Sequence, residues 1–268
     1  MHIQHYSKPS PQKKEGEDAI VLNDAGRLYG VMDGVTPISD YRDAEGHNGA
    51  NLASNLLRAY FARLDGSGDL VEAVKEANRE LRQAMVAGGI DVAAKHELWA
   101  SCLAVAVVSE DNVRYAQLGD CMAVARYTDG RFAVLTNNRV TGVSARAKLK
   151  RERDRQAGKP IEDEAAFAEL YKVLVYNRSQ MANTAEGYGV ANGTEEAGDH
   201  IQSGVVPLAG LSHLLLVSDG MFHPGLPLEQ TMELVLKEGF ERYVERVETA
   251  ERERRMNPDD RSAILLSW

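Results

Sequence analysis

The stretch "AIVLNDAGRLYGVMDG", residues 19–34, decides the kind of fold that this chain is expected to adopt. Two apolar runs, 19–23 and 28–32, flank the polar turn "DAGR", which is the pattern of an antiparallel β-hairpin. The second run ends in Asp33 and Gly34. A carboxylate at the edge of a core costs free energy unless something pairs with it. The hairpin therefore predicts a sheet and also a partner for Asp33.

Further predicted hairpins and two pairs of helices follow along the chain. The hairpins are 101–108 with 113–118 and 121–127 with 131–135, the helices cover about 53–64, 70–85, 228–237 and 240–255, and further strands are expected at 213–218 and 262–268. Asp69 is the expected N-cap of the second helix, three residues before Glu72. Hairpins placed around helix pairs favour antiparallel sheets covered by helices over alternating βαβ units. The sequence therefore predicts an α+β fold.

Composition limits the classes of protein to which the chain can belong. With 268 residues, 44% of them hydrophobic, residues 1–268 are expected to form one domain. A net charge of −9 argues against a nucleic-acid partner. Two cysteines, Cys102 and Cys121, indicate a reducing compartment. The polar N-terminus, a mobile tail with His2 and His5, is no signal peptide, and apolar runs such as 214–217 are too short to span a membrane. We expect a cytoplasmic monomer without membrane contact.

Residues 139–205 are predicted to form a long insertion that covers part of the domain as a flap. Helices are expected around 145–157 and 164–175, followed by a Gly/Asn-rich stretch, 185–199. Connections of this length in a compact domain are often functional lids. The basic run 146–155 could attract an acidic protein, but a solvated helix face with i,i+4 ion pairs is the favoured interpretation.

Acidic residues recur beside glycines at the ends of predicted strands. Pairing of the first hairpin places Asp18 opposite Asp33, with Glu17 beside them. The same kind of position is occupied by Asp120, Asp219 and Asp259. Any one of these could serve turn chemistry alone. Gathered together they would repel one another unless a cation compensates, and an oxygen-only donor set favours Mg²⁺ or Mn²⁺.

Five motifs, in this order, resemble those of the metal-dependent PP2C (PPM) protein phosphatases. They are "EGEDAIVL" (15–22), "LYGVMDGVT" (28–36), "LGDC" (118–121), "LLLVSDG" (214–220) and "DDRSAILL" (259–266). The resemblance implies an α-β-β-α sandwich of two antiparallel sheets flanked by helices. It also implies two Mn²⁺ or Mg²⁺ ions, with a weaker third, and a bridging water that attacks a phosphoserine or phosphothreonine of a phosphorylated protein.

The resemblance also implies a role for each acid of the set. Asp33 would bridge both metals, Gly34 would offer its carbonyl, Glu17 would bind the second metal with Asp18 behind it, Asp219 and Asp259 would bind the first metal, and Asp120 would join Asp219 at the third. Lys13 stands where the family often has an arginine that reaches the substrate phosphate. Lysine binds phosphate as a point charge, without the planar fork of arginine.

Other departures from the family pattern keep a second hypothesis open. Val35 stands where many members have a histidine that assists the leaving group, and Asp260 stands where asparagine is usual. A PP2C-like pseudophosphatase, which would act as a regulatory or phosphoprotein-binding module, is therefore the alternative. The haloacid-dehalogenase nucleophile motif is excluded because it needs an aspartate at the position of Val31 and a parallel sheet.

Overall fold

Residues 1–13 and 15–268 are described by the computed structural model, and they contain ten strands and six α-helices. The strands are β1 (His2–Lys8), β2 (Ala19–Asn23), β3 (Leu28–Gly34), β4 (Ser101–Val108), β5 (Asn112–Leu118), β6 (Met122–Tyr127), β7 (Phe132–Val134), β8 (Gln202–Pro207), β9 (Leu211–Val217) and β10 (Arg261–Ser267). The helices are α1 (Gly49–Ala62), α2 (Leu70–Ala87), α3 (Val143–Gln156), α4 (Leu170–Gln180), α5 (Leu228–Glu238) and α6 (Phe240–Arg254). Short 3₁₀ helices span Glu164–Ala168, Glu195–His200 and Asp219–Met221.

The described strands form two five-stranded sheets in which every pairing is antiparallel. Their orders are β2-β3-β4-β5-β8 and β1-β10-β9-β6-β7. Apolar side chains from both sheets share one core cluster, which includes Val31, Ala104, Leu214, Leu216 and Ile264. Helices α1 and α2 pack on the outer face of the first sheet, and α5 and α6 pack on that of the second. The predicted α-β-β-α sandwich is confirmed.

The layered arrangement explains why the sequence predicts the two helix pairs and the central strand β4. All eight residues of β4 are buried, because this strand lies between a helix layer and the opposite sheet. Asp69 caps α2 as predicted, and its carboxylate accepts a hydrogen bond from the backbone N–H of Glu72 (2.9 Å). Across residues 1–13 and 15–268, no helix has the length and hydropathy that crossing a lipid bilayer would require.

Two strands at sheet edges contradict the sequence prediction. The N-terminal residues do not form a mobile tail: they form β1, which pairs with β10 so that His2 lies opposite Ser267 and His5 opposite Ile264. Strand β8 begins within the predicted flap, at Gln202, and pairs with β5. Five of the seven residues of β1 and three of the six of β8 are exposed, so their sequences lack the apolar pattern of a buried strand. Main-chain hydrogen bonds to a neighbouring strand hold them in place.

The predicted flap contains two helices, and the second begins and ends later than expected. Instead of one helix over 164–175, a 3₁₀ turn at Glu164–Ala168 precedes α4 at Leu170–Gln180. The Gly/Asn-rich stretch that follows is largely irregular and includes the 3₁₀ helix Glu195–His200. Because α4 ends later than expected, it adds one helical turn next to a cavity at the end of the two sheets.

Candidate metal centre

The β2–β3 hairpin has the register that the sequence predicted. Ala19 lies opposite Met32, so the next step outward places Asp18 opposite Asp33. The backbone N–H of Gly34 donates to the carbonyl of Glu17 (3.2 Å). A Cβ at position 34 would lie 2.5 Å from that carbonyl oxygen and 2.6 Å from the one of Ala50. Only glycine therefore allows the strand end to pack against the start of α1.

The second sheet brings its own acids to the same end of the sandwich. Strands β9 and β10 pair with Ala263 opposite Val217, and Asp219 follows β9 directly. The hydroxyl of Ser218 donates to Oδ2 of Asp18 (2.8 Å), which joins the two sheets at this end. The local folding of each strand end thus places acids from both sheets side by side.

A cavity of about 330 Å³ opens where these strand ends meet. Five of the predicted site residues line it: Asp33, Gly34, Asp120, Asp219 and Asp259. Apolar side chains form much of the opposite wall, with Val35 from the loop after β3 and Val140, Val143 and Leu174 from the flap. Residues of the predicted flap therefore line the same cavity as these acids.

Burial and mutual repulsion make Asp18, Asp33, Asp120 and Asp219 unusually hard to ionise. Burial and the charge of Asp18 hold the pKa of Asp33 well above its usual range, and a hydrogen bond with Asp219 adds to this shift. Burial and the charge of Asp120 raise the pKa of Asp219 to about 8. Burial raises the pKa of Asp18 to about 7, although the hydrogen bond from Ser218 favours its ionised form. Burial likewise raises the pKa of Asp120.

This donor set fits hard divalent cations. It offers several carboxylate oxygens. The thiol of Cys102 also lines the cavity, but burial raises its pKa well above its usual range, and a protonated thiol is a poor metal ligand. A bound cation would offset the burial and the repulsion that raise the pKa values of the acids. In the described part of the chain, the only three His, Cys, Asp or Glu side chains with ligand atoms all within 4.8 Å of one another are Asp43, Glu45 and His47, in a different loop. The acids of the cavity are therefore spread along it and not gathered at one point.

Glu17 faces a neighbouring cleft of about 530 Å³ and not the cavity itself. Its Oε1 accepts a hydrogen bond from the amide of Asn48 (2.5 Å). Its Oε2 accepts one from the hydroxyl of Thr36 (3.0 Å) and one from Nζ of Lys13 (2.7 Å). Glu17 is thus buried but well satisfied by its neighbours.

Lys13 is held by three carboxylates. Besides Glu17, its ammonium donates to Asp259 (3.3 Å) and to Asp260 (3.1 Å). Burial disfavours the charged form, but the hydrogen bond to Glu17 and the charge of Asp259 outweigh it and raise the pKa of Lys13. Asp260 also accepts the backbone N–H groups of Ser10 and Glu17, each at 2.6 Å. Asp260 therefore ties the N-terminal segment to the start of β10.

Comparison with known proteins assigns the family. The model of the family described as Protein phosphatase 2C matches residues 12–260. This chain is a member of the protein phosphatase 2C family. The comparison with curated protein sequences gave no match.

Solved structures share the fold of this PP2C protein over nearly its whole length. The Mycobacterium tuberculosis serine/threonine phosphatase PstP/Ppp is 19% identical, with 98% of this chain and 97% of that one covered and a TM-score of 0.63. Stp1 from Staphylococcus aureus is 17% identical, with 99% and 94% covered and a TM-score of 0.60. The PstP catalytic domain in complex with two manganese ions is 17% identical, with 98% and 96% covered and a TM-score of 0.60.

Arg178 is a residue of the PP2C cavity that the sequence analysis missed. It lies on α4, one turn after Leu174, and both residues line the cavity. Its Nη2 donates to the backbone carbonyl of Thr36, far away in sequence. The signal that could have found it is the continuation of α4 to residue 180, because positions i and i+4 share a helix face.

The basic run 146–155 of the flap is largely engaged within the chain. Arg146 donates to backbone carbonyls, including those of Thr141 and Glu186. Lys150 pairs with Asp154 four residues later, and Arg151 pairs with Glu164. These contacts support the interpretation of a helix face held by ion pairs over that of a docking surface for acidic proteins.

Proposed function

We propose that this protein is a metal-dependent phosphatase that hydrolyses phosphoserine and phosphothreonine in phosphorylated proteins. The observation that carries the proposal is the cavity that strand ends of both sheets line with Asp33, Asp120 and Asp219, whose pKa values are raised by burial. Membership of the PP2C family and the manganese-bound structure of a protein with the same fold support it.

The side chains proposed to hold Mn²⁺ or Mg²⁺ divide into two groups. Asp33, Gly34, Asp120, Asp219 and Asp259 line the cavity. Glu17 lines the neighbouring cleft, and Asp18 lies opposite Asp33 with its carboxylate bonded to Ser218. When bound, such cations would lower the pKa of a coordinated water and stabilise negative charge on phosphate. The protein's own contribution is to hold Asp18 through Ser218 and to keep Glu17 oriented by Lys13, Thr36 and Asn48.

One observation favours the second candidate, a pseudophosphatase that binds phosphoproteins without turning them over. Lys13, in the position where the family often has its phosphate-binding arginine, is bonded to three carboxylates. Val35 adds no proton donor to the cavity wall where many members have histidine. Both departures concern the substrate and not the proposed metal ligands.

Release of phosphate from phosphothreonine and phosphoserine peptides tests the proposal. We expect turnover with Mn²⁺ or Mg²⁺, a fall to background when EDTA removes the cation, and recovery when it is added back. Asp43→Asn is the matched control. It removes a carboxylate from the group of Asp43, Glu45 and His47, which lies outside the cavity, and it should leave turnover unchanged. Undiminished turnover in EDTA would refute metal dependence. Tight binding of phosphopeptide without turnover would establish the pseudophosphatase.

A further inference from the structure

Arg178 is a buried cation in the wall of an acidic cavity. Its side chain belongs to a residue only 8% exposed, and it lines the cavity together with Asp33 and Asp219. Nη2 donates to the carbonyl of Thr36. Nη1 is buried, and among residues 1–13 and 15–268 it has no hydrogen-bond partner. The hydrogen bond of Nη2 therefore fixes the guanidinium in place, while the N–H donors of Nη1 remain available to a ligand.

Arg178 differs from the buried Arg151 and Arg261 in its lack of a carboxylate partner, although each of those two also has one buried nitrogen without a hydrogen bond in the described part of the chain. Arg151 is paired with Glu164, and Arg261 is paired with Glu251. For Arg178 no carboxylate lies within ion-pair distance in the described part of the chain. Burial of a charge without a partner costs free energy, and removing a guanidinium from water lowers the pKa of Arg178. A guanidinium nevertheless stays protonated in proteins, so an anion from outside the chain would offset this cost.

Phosphate is the anion that best fits the charge and the hydrogen-bond donors around Arg178. The acids of the cavity repel anions on their own, but cations bound to them would make the cavity attractive to a group that carries several negative oxygens. Guanidinium binds phosphate oxygens through parallel N–H donors, which a lysine ammonium cannot reproduce. Lys13, the residue that the resemblance assigns to this task, has its ammonium bonded to Glu17, Asp259 and Asp260 and lines the neighbouring cleft.

We propose that Arg178 binds the phosphate group of the substrate. This is the role that the family resemblance assigns to Lys13. This inference deepens the proposed function and rests on it for the identity of the phosphate as part of a phosphoprotein. The bond from Nη2 to Thr36 also connects the flap helix α4 with the loop after Asp33. Bound phosphate would therefore hold the flap against the catalytic end of the sheets.

Calorimetric binding of inorganic phosphate to the Mn²⁺-loaded protein tests this role without any turnover. In Arg178→Gln we expect the affinity for phosphate to fall about tenfold to a hundredfold, because a charge-assisted hydrogen bond is lost. Arg178→Lys keeps the charge but not the planar fork and should lose part of the affinity. Arg151→Gln is the matched control: it removes a buried arginine of the same flap that pairs with Glu164 and does not line the cavity. Its affinity for phosphate should stay unchanged.

Each outcome decides for or against Arg178. An unchanged affinity in both Arg178 variants, or an equal loss in Arg151→Gln, would overturn the inference, because Arg178 would then only shape the flap. Absence of phosphate binding by the unaltered protein would overturn it as well. If Arg178→Gln does not fold, the Arg178→Lys result decides. Phosphate binding that depends on Arg178, in a protein without turnover of any phosphopeptide, would refute the proposed function and leave the inference standing.

Discussion

Replacing Asp33 by asparagine is expected to abolish phosphatase activity and at the same time to stabilise the metal-free protein. Asparagine has the same shape but is neutral and a weaker ligand for a hard cation, so turnover should fall by at least about a thousandfold. In the metal-free protein the substitution removes repulsion with Asp18, Asp219 and Asp120. For a chain of this size, each kcal/mol gained raises Tm by about 2–4 °C.

The two effects of Asp33→Asn are measured separately, by phosphopeptide turnover with Mn²⁺ and by thermal unfolding in EDTA. The gain in Tm should grow as pH rises, since protonated Asp33 resembles asparagine and only the ionised form repels its neighbours. Asp111→Asn, at an exposed position in the β4–β5 turn, is the control that should change neither quantity. A near-native kcat for Asp33→Asn would show that Asp33 is not a metal ligand.

The parts of the fold that the sequence predicted are those that bury apolar side chains. Strand β4 and the β2–β3 hairpin could be predicted because buried strands require runs of apolar residues. Strands β1 and β8 were not, because edge strands gain stability from main-chain hydrogen bonds that any residue can make. Sequence patterns indicate which side chains are buried, but they do not indicate contacts that only the backbone makes.

The candidate site divides in the same way. The hairpin register placed Asp18 opposite Asp33, because pairing around a short turn is a local property. The contact between Arg178 and the carbonyl of Thr36 joins residues that are 142 positions apart, and nothing local to either one indicates it. The bonds of Lys13 to Asp259 and Asp260 likewise depend on how the two chain ends meet. Tertiary contacts of this kind decide which of the basic residues is free to bind substrate.

The free energy of unfolding of the metal-free protein should decrease as pH rises from about 4 to about 8. In the unfolded chain Asp18 and Asp219 lose their protons near pH 4, whereas in the folded protein their pKa values are raised to about 7 and about 8. Between these limits the folded state binds more protons than the unfolded state. Stability therefore falls with pH, because ionisation is easier after unfolding.

Urea unfolding in EDTA across this pH range measures the effect, which should amount to several kcal/mol because each unit of pKa difference corresponds to about 1.4 kcal/mol. Asp219→Asn should flatten the dependence, because the pKa of Asp219 is raised further than that of Asp18 and because the substitution relieves the repulsion on Asp33. Saturating Mn²⁺ should reverse it, since cations bind the deprotonated carboxylates of the folded state. A stability that rises with pH in EDTA would mean that these carboxylates already have a compensating partner within the chain, and the reason for expecting cations in this cavity would be lost.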